Sequence, residues 1–320
     1  MKYLITGGAG FIGCNIATYL VEKGEQVRIL DNFSTGKKDN IEPFKDKIEI
    51  IDGDIRDYWT VTQAVDGIDY VLHQAALPSV PRSVKNPLTS NNVNVNGTLN
   101  LLEAAKNAGV KKFVMASSSS VYGESEELPK HEKMRPSPLS PYAVTKLTDE
   151  YYLKVYWELY GFPTVALRYF NIFGSKQDPQ SEYAAVIPKF ITSLLTNKQP
   201  IVFGDGEQSR DFTYVDNCVQ ANILAATNDK IVGDYFNVAC GAQYTLNQTL
   251  DILRKIIGTD IQAQYAPPRD GDIKHSFATI DKLRQFGYQP AVDFEEGLKR
   301  TVAYYQKRLN LQPILPKANK

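Results

Sequence analysis

Two titratable side chains, Tyr142 and Lys146, lie four residues apart in a segment typical of a helix, because residues 142–160 contain no glycine or proline. At that spacing a phenol and an ammonium group share one helical face, about 5–6 Å apart at their Cβ atoms. A free tyrosine has a pKa of about 10, and a nearby positive charge lowers that pKa by favouring the phenolate. The pair therefore suggests a general base, although a tyrosine packed on an aliphatic lysine stem has the same spacing.

The composition is that of an ordinary globular protein with a large core. The chain has 320 residues, 43% of them hydrophobic and 22% charged, which suits one large domain or two closely joined ones. Lysine plus arginine and aspartate plus glutamate both number 36, so neither a nucleic acid nor a membrane is an expected partner. No apolar run reaches the length of a membrane span, and the first residues predict a strand rather than a signal peptide.

Cysteine and histidine are too sparse to suggest a metal centre. The three cysteines, Cys14, Cys218 and Cys240, show neither metal-ligand spacing nor a disulfide framework, so we expect a cytoplasmic protein. The three histidines are scattered as well. This argues against a serine–histidine–aspartate triad.

Short apolar runs alternate with helical patterns in the first half of the chain. The predicted strands are residues 2–6, 26–30, 48–51, 70–73, 113–117 and 164–169. The predicted helices are residues 11–23, 57–65, 91–107, 142–160, 185–196, 215–226, 246–257 and 294–308. This order predicts an α/β fold, a doubly wound parallel sheet of the Rossmann type with a smaller mixed α/β C-terminal substrate domain.

Glycines after the first predicted strand form a candidate phosphate loop. The segment Gly7-Gly-Ala-Gly-Phe-Ile-Gly13 opens the first predicted helix, where backbone N–H groups can approach a pyrophosphate. Asp31 ends the second strand, and a carboxylate there can bind both ribose hydroxyls and repel a 2′-phosphate. We therefore expect NAD rather than NADP, although Asp31 could also be a simple strand-end cap.

Residues after the third and fourth strands are further candidates for the same cofactor. Asp54 and Ile55 could reach the adenine. Gln74, Ala75 and Ala76 could let the dinucleotide pass close to the backbone. Each of these could equally be a turn or packing residue.

Four serines, residues 117–120, follow the fifth predicted strand. In an open parallel sheet, ligands bind beyond the carboxyl ends of the strands. The predicted helix with Tyr142 and Lys146 comes next along the chain. A hydroxyl, the phenol and the ammonium group would thus meet where the nicotinamide of a bound dinucleotide should lie.

Together these motifs resemble the extended short-chain dehydrogenase/reductase family, and within it the UDP-sugar 4-epimerases. The resemblance covers nearly the whole chain. Besides the glycine loop and Tyr142-Ala-Val-Thr-Lys146, the matching segments are Asp31-Asn-Phe-Ser-Thr-Gly36, Gly53-Asp-Ile-Arg-Asp57, His73-Gln-Ala-Ala76, Asn94-Val-Asn-Gly-Thr98, Ser117-Ser-Ser-Ser-Val-Tyr-Gly123, Leu167-Arg-Tyr-Phe-Asn171, Gly204-Asp-Gly206, Arg210-Asp211 and Arg269-Asp-Gly-Asp272.

The resemblance implies three catalytic residues. Tyr142 would take the proton from the sugar 4-hydroxyl while a hydride passes from C4 to NAD, and the 4-keto sugar would rotate and take the hydride back. Lys146 would bind the nicotinamide ribose and, with the nicotinamide, keep Tyr142 as a phenolate. Ser118 would hydrogen-bond the reacting oxygen, with Ser119 and Ser120 as alternatives.

The resemblance also implies a wider set of NAD contacts and a division of the chain. The NAD-binding Rossmann domain would be residues 1–170 and the UDP-sugar-binding domain 171–320, with 212–238 returning to the first. Besides the candidates above, the implied NAD-binding residues are Gly7, Gly10, Phe11, Ile12, Gly13, Asn32, Ser34, Thr35, Gly36, Asn94 and Phe170.

The substrate side is implied by a second set of matches. Arg210 and Arg269 would clamp the pyrophosphate, since guanidinium groups match phosphate oxygens in charge and geometry. Without the resemblance, surface salt bridges with the adjacent aspartates would be the simpler interpretation. Asp272 would hold the uridine ribose, Asn171 would donate to a phosphate or sugar oxygen, and Ser79 would contact the substrate.

The sequence favours an N-acetylated sugar. Ser276 occupies a position where epimerases restricted to plain UDP-hexoses carry a tyrosine, so it leaves room for a 2-N-acetyl group. The segment from Tyr183 to Lys189 also resembles the UDP-N-acetylglucosamine 4-epimerases. Asp178 would repel the carboxylate of a glucuronate. We therefore predict interconversion of UDP-N-acetylglucosamine and UDP-N-acetylgalactosamine, with UDP-glucose and UDP-galactose also accepted.

Three other functions stay open at this point. The first is a UDP-glucose 4-epimerase proper, and the second a non-catalytic NAD-sensing or scaffold protein on the same fold. The third is a reductase or a dehydratase. Ser119 and Ser120 disfavour the dehydratase, because dehydratases carry an aspartate–glutamate pair there. The resemblance further implies a homodimer formed through the helices at 91–107 and 142–160.

Overall fold

The computed structural model describes residues 1–125, 127–179, 185–268 and 274–311. Its strands are, in chain order, β1 (Lys2–Thr6), β2 (Gln26–Asp31), β3 (Glu49–Asp52), β4 (Tyr70–His73), β5 (Lys112–Ser118), β6 (Thr164–Tyr169), β7 (Ile172–Phe173), β8 (Ile201–Phe203), β9 (Ser209–Arg210), β10 (Thr213–Tyr214), β11 (Asp234–Val238), β12 (Tyr244–Thr245), β13 (Gln264–Ala266) and β14 (His275–Ser276). The six predicted strands are β1 to β6, with ends shifted by at most one residue.

The α-helices of the described residues are α1 (Phe11–Glu22), α2 (Tyr58–Val65), α3 (Val80–Lys85), α4 (Pro87–Asn91), α5 (Gly97–Asn107), α6 (Pro141–Tyr160), α7 (Val186–Leu195), α8 (Val215–Thr227), α9 (Leu246–Ile257), α10 (Asp281–Arg284) and α11 (Phe294–Arg308). Within the described ranges, no helix combines the length and apolar character needed to cross a membrane.

Seven parallel strands form the main sheet, in the order β3-β2-β1-β4-β5-β6-β11. One face is covered by α1 and α8, and the other by α2, α5 and α6. A third apolar cluster joins α7, α9 and α11 with short strands. The predicted doubly wound parallel sheet with a smaller mixed second part is confirmed.

Two elements from the second half of the chain belong to the main sheet and its covering layer. Strand β11 pairs with β6 along its whole length, and α8 packs against α1. The division at residue 170 stays a prediction, and any second domain would consist of the other elements after β6.

The helix predicted at 91–107 differs from the structure. A π-helical turn, Asn92–Asn96, separates α4 from α5. The wider turn coincides with the inward side chain of Asn94, which accepts a hydrogen bond from Leu77 N (2.8 Å) and donates one to Thr145 Oγ1 (3.0 Å). Such turns are frequent at functional sites, and this one lies beside α6.

Helix α6 begins and ends at well-defined caps. The side chain of Ser140 accepts a hydrogen bond from Ala143 N, and Pro141 occupies the first helical position, where its missing N–H costs nothing. Gly161 ends the helix in the left-handed conformation (φ 62°), as glycine readily does. These caps place Tyr142 in the first turn, next to the carboxyl end of β5.

A buried polar network holds α6 against β5 and β6. The Arg168 side chain is fully buried, and its Nε and Nη2 donate to the two carboxylate oxygens of Glu150 at 2.8 and 2.6 Å. Ser117 Oγ donates to the same carboxylate at 2.5 Å. The guanidinium is also flanked by the rings of Tyr122 and Tyr235, at 4.7 and 3.7 Å from their centroids.

We expect the substitution Glu150→Gln to destabilise the protein strongly, because it leaves the Arg168 guanidinium buried without a counter-charge. Breaking a buried pair in this way typically costs about 3–5 kcal/mol, to be measured as the free energy of unfolding in denaturant. Glu158→Gln is the matched control, since Glu158 is an exposed carboxylate on the same helix and should change stability by about 0.5 kcal/mol or less. Equal effects of the two substitutions would contradict the role given to the network.

Candidate active site

The glycine loop between β1 and α1 is packed too closely for side chains. A Cβ on Gly13 would lie 2.2 Å from Gly7 O, and one on Gly7 would lie 2.8 Å from the backbone of Ala75. Gly7 has a φ of 67°, a conformation that only glycine adopts without strain. The loop therefore leaves open space and N–H groups at the start of α1, where a pyrophosphate fits.

Asp31 has a fixed, largely buried carboxylate at the end of β2. Its oxygens accept hydrogen bonds from Ala9 N (2.9 Å) and Phe33 N (2.8 Å). Burial raises its pKa, while these two bonds lower it. A Cβ on Gly36 would lie 2.9 Å from both oxygens, so the absence of a side chain there leaves room for a ribose. These residues fit NAD.

The carboxyl ends of the central strands open into a cleft of about 860 Å³, called here the cofactor cleft. Most of the predicted NAD-binding and catalytic residues line it. They are Gly7, Gly10, Phe11, Ile12, Gly13, Asp31, Asn32, Ser34, Thr35, Gly36, Asp54, Ile55, Gln74, Ala75, Ala76, Ser118, Tyr142 and Lys146.

A smaller cavity of about 290 Å³, called here the second cavity, adjoins the cofactor cleft. Arg210, Lys189 and Phe203 line it, and Asn171 lines both spaces. Asn171 has a φ of 39°, which asparagine tolerates better than most residues. Asn171 is therefore a wall residue that the two spaces share.

Ser118, Tyr142 and Lys146 lie together in the cofactor cleft. Ser118 is the last residue of β5, and its Oγ accepts a hydrogen bond from Ser120 Oγ at 2.9 Å. Burial raises the pKa of Tyr142 to about 12, although its hydrogen bond with Ser118 lowers it. Lys146 is almost completely buried as well.

In the protein by itself the pKa of Tyr142 is raised, not lowered as its spacing from Lys146 suggested, and the combined effect of Lys146 and bound NAD stays a prediction. Burial outweighs the other effects on the phenol, and Asp149 adds a negative charge that raises its pKa further. The Lys146 ammonium lies 3.8 Å from an Asp149 oxygen, and that negative charge opposes the effect of Lys146 on the phenol. A phenolate at Tyr142 therefore needs additional positive charge.

Several predicted site residues are not part of the lining of either space. Asn94 is fully buried and uses its amide within the protein, as described above, and Phe170 packs against Tyr122 in the core. Ser79 caps α3 by accepting a hydrogen bond from Arg82 N. Ser276 lies on β14 in register with Arg210. Arg269, Asp272 and Tyr183 lie outside the described residues.

Sequence reasoning missed a strap, residues 175–178, that borders the cofactor cleft and contacts the first part of the chain. Asn15 Nδ2 donates to Ser175 O at 3.1 Å. Lys176 Nζ donates to Thr18 Oγ1 and to Asn40 O, both at 3.1 Å. Asp178 pairs with Lys37 at 2.6 Å. These hydrogen bonds and the ion pair could not be recognised from the sequence, because each joins segments more than 100 residues apart.

This contact changes the interpretation of Asp178. Its carboxylate is engaged by Lys37 at the rim of the cofactor cleft, so its charge is largely compensated. Repulsion of a glucuronate by Asp178 is therefore no longer an argument about the sugar.

Comparisons with known proteins agree with this geometry. Residues 3–239 match the model of the NAD dependent epimerase/dehydratase family. A UDP-glucose 4-epimerase of Mycolicibacterium smegmatis is 36% identical, and the alignment covers 96% of this chain and 99% of the relative. The chain belongs to the NAD dependent epimerase/dehydratase family, and NAD is its cofactor.

Two solved structures are similar over nearly their whole length. One is a UDP-N-acetylglucosamine 4-epimerase from Methanobrevibacter ruminantium in complex with UDP-N-acetylmuramic acid, at 44% identity and a TM-score of 0.92, covering 96% of this chain and 98% of that one. The other is a Thermus thermophilus UDP-glucose 4-epimerase in complex with NAD, at 37% identity and a TM-score of 0.87, covering 96% and 99%. The protein is thus an NAD-dependent enzyme that groups with the nucleotide-sugar 4-epimerases, which are isomerases.

We expect Asp178→Asn to speed the loss of NAD from the holoenzyme, because it removes the ion pair between the strap and Lys37. Both side chains are about one-third exposed, so the pair contributes at most about 1 kcal/mol, or about two- to fivefold in the dissociation rate. Release can be followed by dilution into an NAD-scavenging assay at low and high salt.

Salt should accelerate release from the wild type more than from Asp178→Asn, because ions screen a pair that the variant lacks. Glu42→Gln is the control, since it removes a surface pair on the same side of the molecule. Equal release rates in wild type and Asp178→Asn at low salt would contradict the role of the strap.

Proposed function

We propose that the protein is a UDP-N-acetylglucosamine 4-epimerase that interconverts UDP-N-acetylglucosamine and UDP-N-acetylgalactosamine through a 4-keto intermediate. The observation that carries this proposal is the meeting of Ser118, Tyr142 and Lys146 in a cleft that fits NAD. The second cavity adjoins that cleft and offers Arg210 for phosphate groups. The family and the similar structures support the 4-epimerase class.

The catalytic roles follow from the chemistry of the three side chains. NAD supplies reversible two-electron oxidation at the sugar C4 when it is bound. Tyr142 would accept the 4-hydroxyl proton and later return it to the 4-keto oxygen. Ser118 would hydrogen-bond that oxygen in both states. Lys146 would bind the nicotinamide ribose and add positive charge near the phenol.

The protonation state of Tyr142 is the demanding part of this mechanism. Its pKa of about 12 in the protein alone leaves almost no phenolate at neutral pH. We propose that Lys146 together with the positive nicotinamide of bound NAD lowers this pKa. Proton transfer would then be efficient only in the holoenzyme.

For the substrate-binding side, we propose Ser79, Asn171, Arg210, Arg269, Asp272 and Ser276. Arg210 Nη1 donates to the carbonyls of Ser209 and Lys274, at 2.9 and 3.3 Å, and these bonds orient its side chain along the second cavity. The small side chain of Ser276, next to Arg210 in the β9–β14 pair, is compatible with an N-acetyl group.

The second candidate is a UDP-glucose 4-epimerase proper. The Mycolicibacterium smegmatis and Thermus thermophilus relatives carry that name, so the plain UDP-hexoses are the first substrates to compare.

We also propose a cytoplasmic location, in keeping with the three free cysteines.

A homodimer is proposed from the resemblance to the family. Helix α6 exposes the apolar side chains of Tyr151, Val155 and Leu159 on its outer surface, and burial of such a patch in a second copy would be favourable. Sedimentation that finds only monomers at micromolar concentration would contradict this proposal.

The function is tested by incubating the purified holoenzyme, without added NAD, with UDP-N-acetylglucosamine and with UDP-glucose in separate reactions. We expect the 4-epimer of each sugar, with faster turnover of the N-acetylated one. Tyr142→Phe should lower kcat by about 10²–10⁴-fold, because it removes the acid/base group. If wild type and Tyr142→Phe were both inert on every UDP-hexose, a non-catalytic NAD-binding protein would be the better account.

Ser276→Tyr should restrict the enzyme to plain UDP-hexoses. A bulky ring at this position would occupy the space that we assign to the N-acetyl group. A clash of this kind should cost about 1–3 kcal/mol, or about 5- to 150-fold in kcat/KM for UDP-N-acetylglucosamine. The kcat/KM for UDP-glucose is the internal control, and unchanged discrimination between the two sugars would refute the pocket assignment.

A further inference from the structure

Asp149 is a fully buried carboxylate whose hydrogen-bonding capacity is unused. It lies three residues after Lys146 on α6, and its Oδ2 is 3.8 Å from the Lys146 ammonium. Within the described residues, neither of its oxygens has a hydrogen-bond partner. Buried carboxylates are normally hydrogen-bonded, because an unpaired one is costly. A residue of this kind calls for an explanation.

The neighbouring carboxylate, Glu150, has the partners that Asp149 lacks. Arg168 binds it through two nitrogens and Ser117 donates a third hydrogen bond. The charge of Glu150 is therefore paired with Arg168, although it also raises the pKa of Lys146, by less than Asp149 does. The negative charge of Asp149 is left to act on Lys146.

The other titratable groups that the structure places around Lys146 do not compensate Asp149. His73 on β4 is held between Thr6 and Thr98, and burial together with Lys146 lowers its pKa to about 3, so it is neutral. Tyr142 on the same helix is neutral in the protein alone. Among the described residues, Lys146 is thus the ionic partner of Asp149, and the pair joins the wall of the cofactor cleft to the interior.

Each member of this pair depends on the other for its charge. Burial lowers the pKa of Lys146, and Asp149 raises it again. Burial likewise raises the pKa of Asp149, and the Lys146 ammonium opposes this shift. Without the carboxylate, a fully buried lysine would lose its proton near or below neutral pH.

We propose that Asp149 is a positioning residue that keeps Lys146 in its ammonium form at neutral pH. This inference rests on the proposed function, in which Lys146 must be charged to bind the nicotinamide ribose and to favour the Tyr142 phenolate. In this arrangement Asp149 touches neither cofactor nor substrate; it supports the charge of Lys146, and its direct effect on Tyr142 is the opposite one of raising the pKa of the phenol.

The direct test is the titration of Lys146 in the holoenzyme. Lysines labelled with ¹³C at Cε report their protonation by chemical shift, and Lys146→Met assigns the resonance. In Asp149→Asn we expect the midpoint of Lys146 to fall by about 1–3 pH units, the usual effect of an opposite charge at this range. Activity that needs the ammonium is lost as the pH rises through that midpoint. The alkaline limb of the pH profile of kcat should therefore shift to lower pH by the same number of units.

Two further variants separate this role from a merely structural one. Asp149→Glu keeps the charge and should restore most of the wild-type midpoint. Glu158→Gln removes an exposed carboxylate from the same helix, at 3.7 Å from Lys154, and should leave both the Lys146 midpoint and the pH profile unchanged.

The proposal is overturned if folded Asp149→Asn titrates Lys146 at the wild-type midpoint. Should that variant fail to fold, a wild-type midpoint below neutral pH would overturn it as well. The chemical-shift titration does not depend on any sugar being converted. A shifted midpoint in a protein that epimerises no UDP-sugar would refute the proposed function and leave the role of Asp149 intact.

Discussion

The active site depends on the burial of charged groups along helix α6. Tyr142, Lys146, Asp149 and Glu150 all lie on its inner side, where it packs on β5 and β6. A charge in that position is stable only with a close partner, so each acidic residue is matched by a base, Glu150 by Arg168 and Asp149 by Lys146. The Glu150–Arg168 pair joins the helix to the sheet, while the Lys146–Asp149 pair lies within the helix and affects the charge beside the phenol.

The cleft itself results from the way the two halves of the chain meet. The main sheet supplies the glycine loop, Asp31 and the end of β5, and these alone would give an open groove. The strap at residues 175–178 and the second cavity around Arg210 come from beyond β6. Asn171 lines both spaces and thus connects the cofactor cleft with the proposed substrate side.

Much of this arrangement could be predicted from sequence because it follows local rules. The strand ends, the glycine loop and the Tyr142–Lys146 spacing are each determined by a few adjacent residues, and the structure places them as predicted. The π-helical turn before α5 could not be predicted, because it depends on Asn94 bonding to Leu77 and Thr145, far apart in the chain. The contacts of the strap and the pairing of Asp149 with Lys146 could not be predicted for a similar reason. Both depend on burial and on distances between atoms in the folded chain. The raised pKa of Tyr142 is the clearest case, because spacing showed the nearby cation but not the desolvation that outweighs it.

The central claim is that the site oxidises a UDP-sugar at C4 and reverses that oxidation without exchange with solvent. Its most direct test uses UDP-N-acetylglucosamine carrying deuterium at C4, incubated with the holoenzyme without added NAD, with the product analysed by NMR and mass spectrometry. The account predicts the 4-epimer with unchanged mass and the deuterium still at C4. Loss of the label to water, or a product lighter by one water molecule, would contradict it.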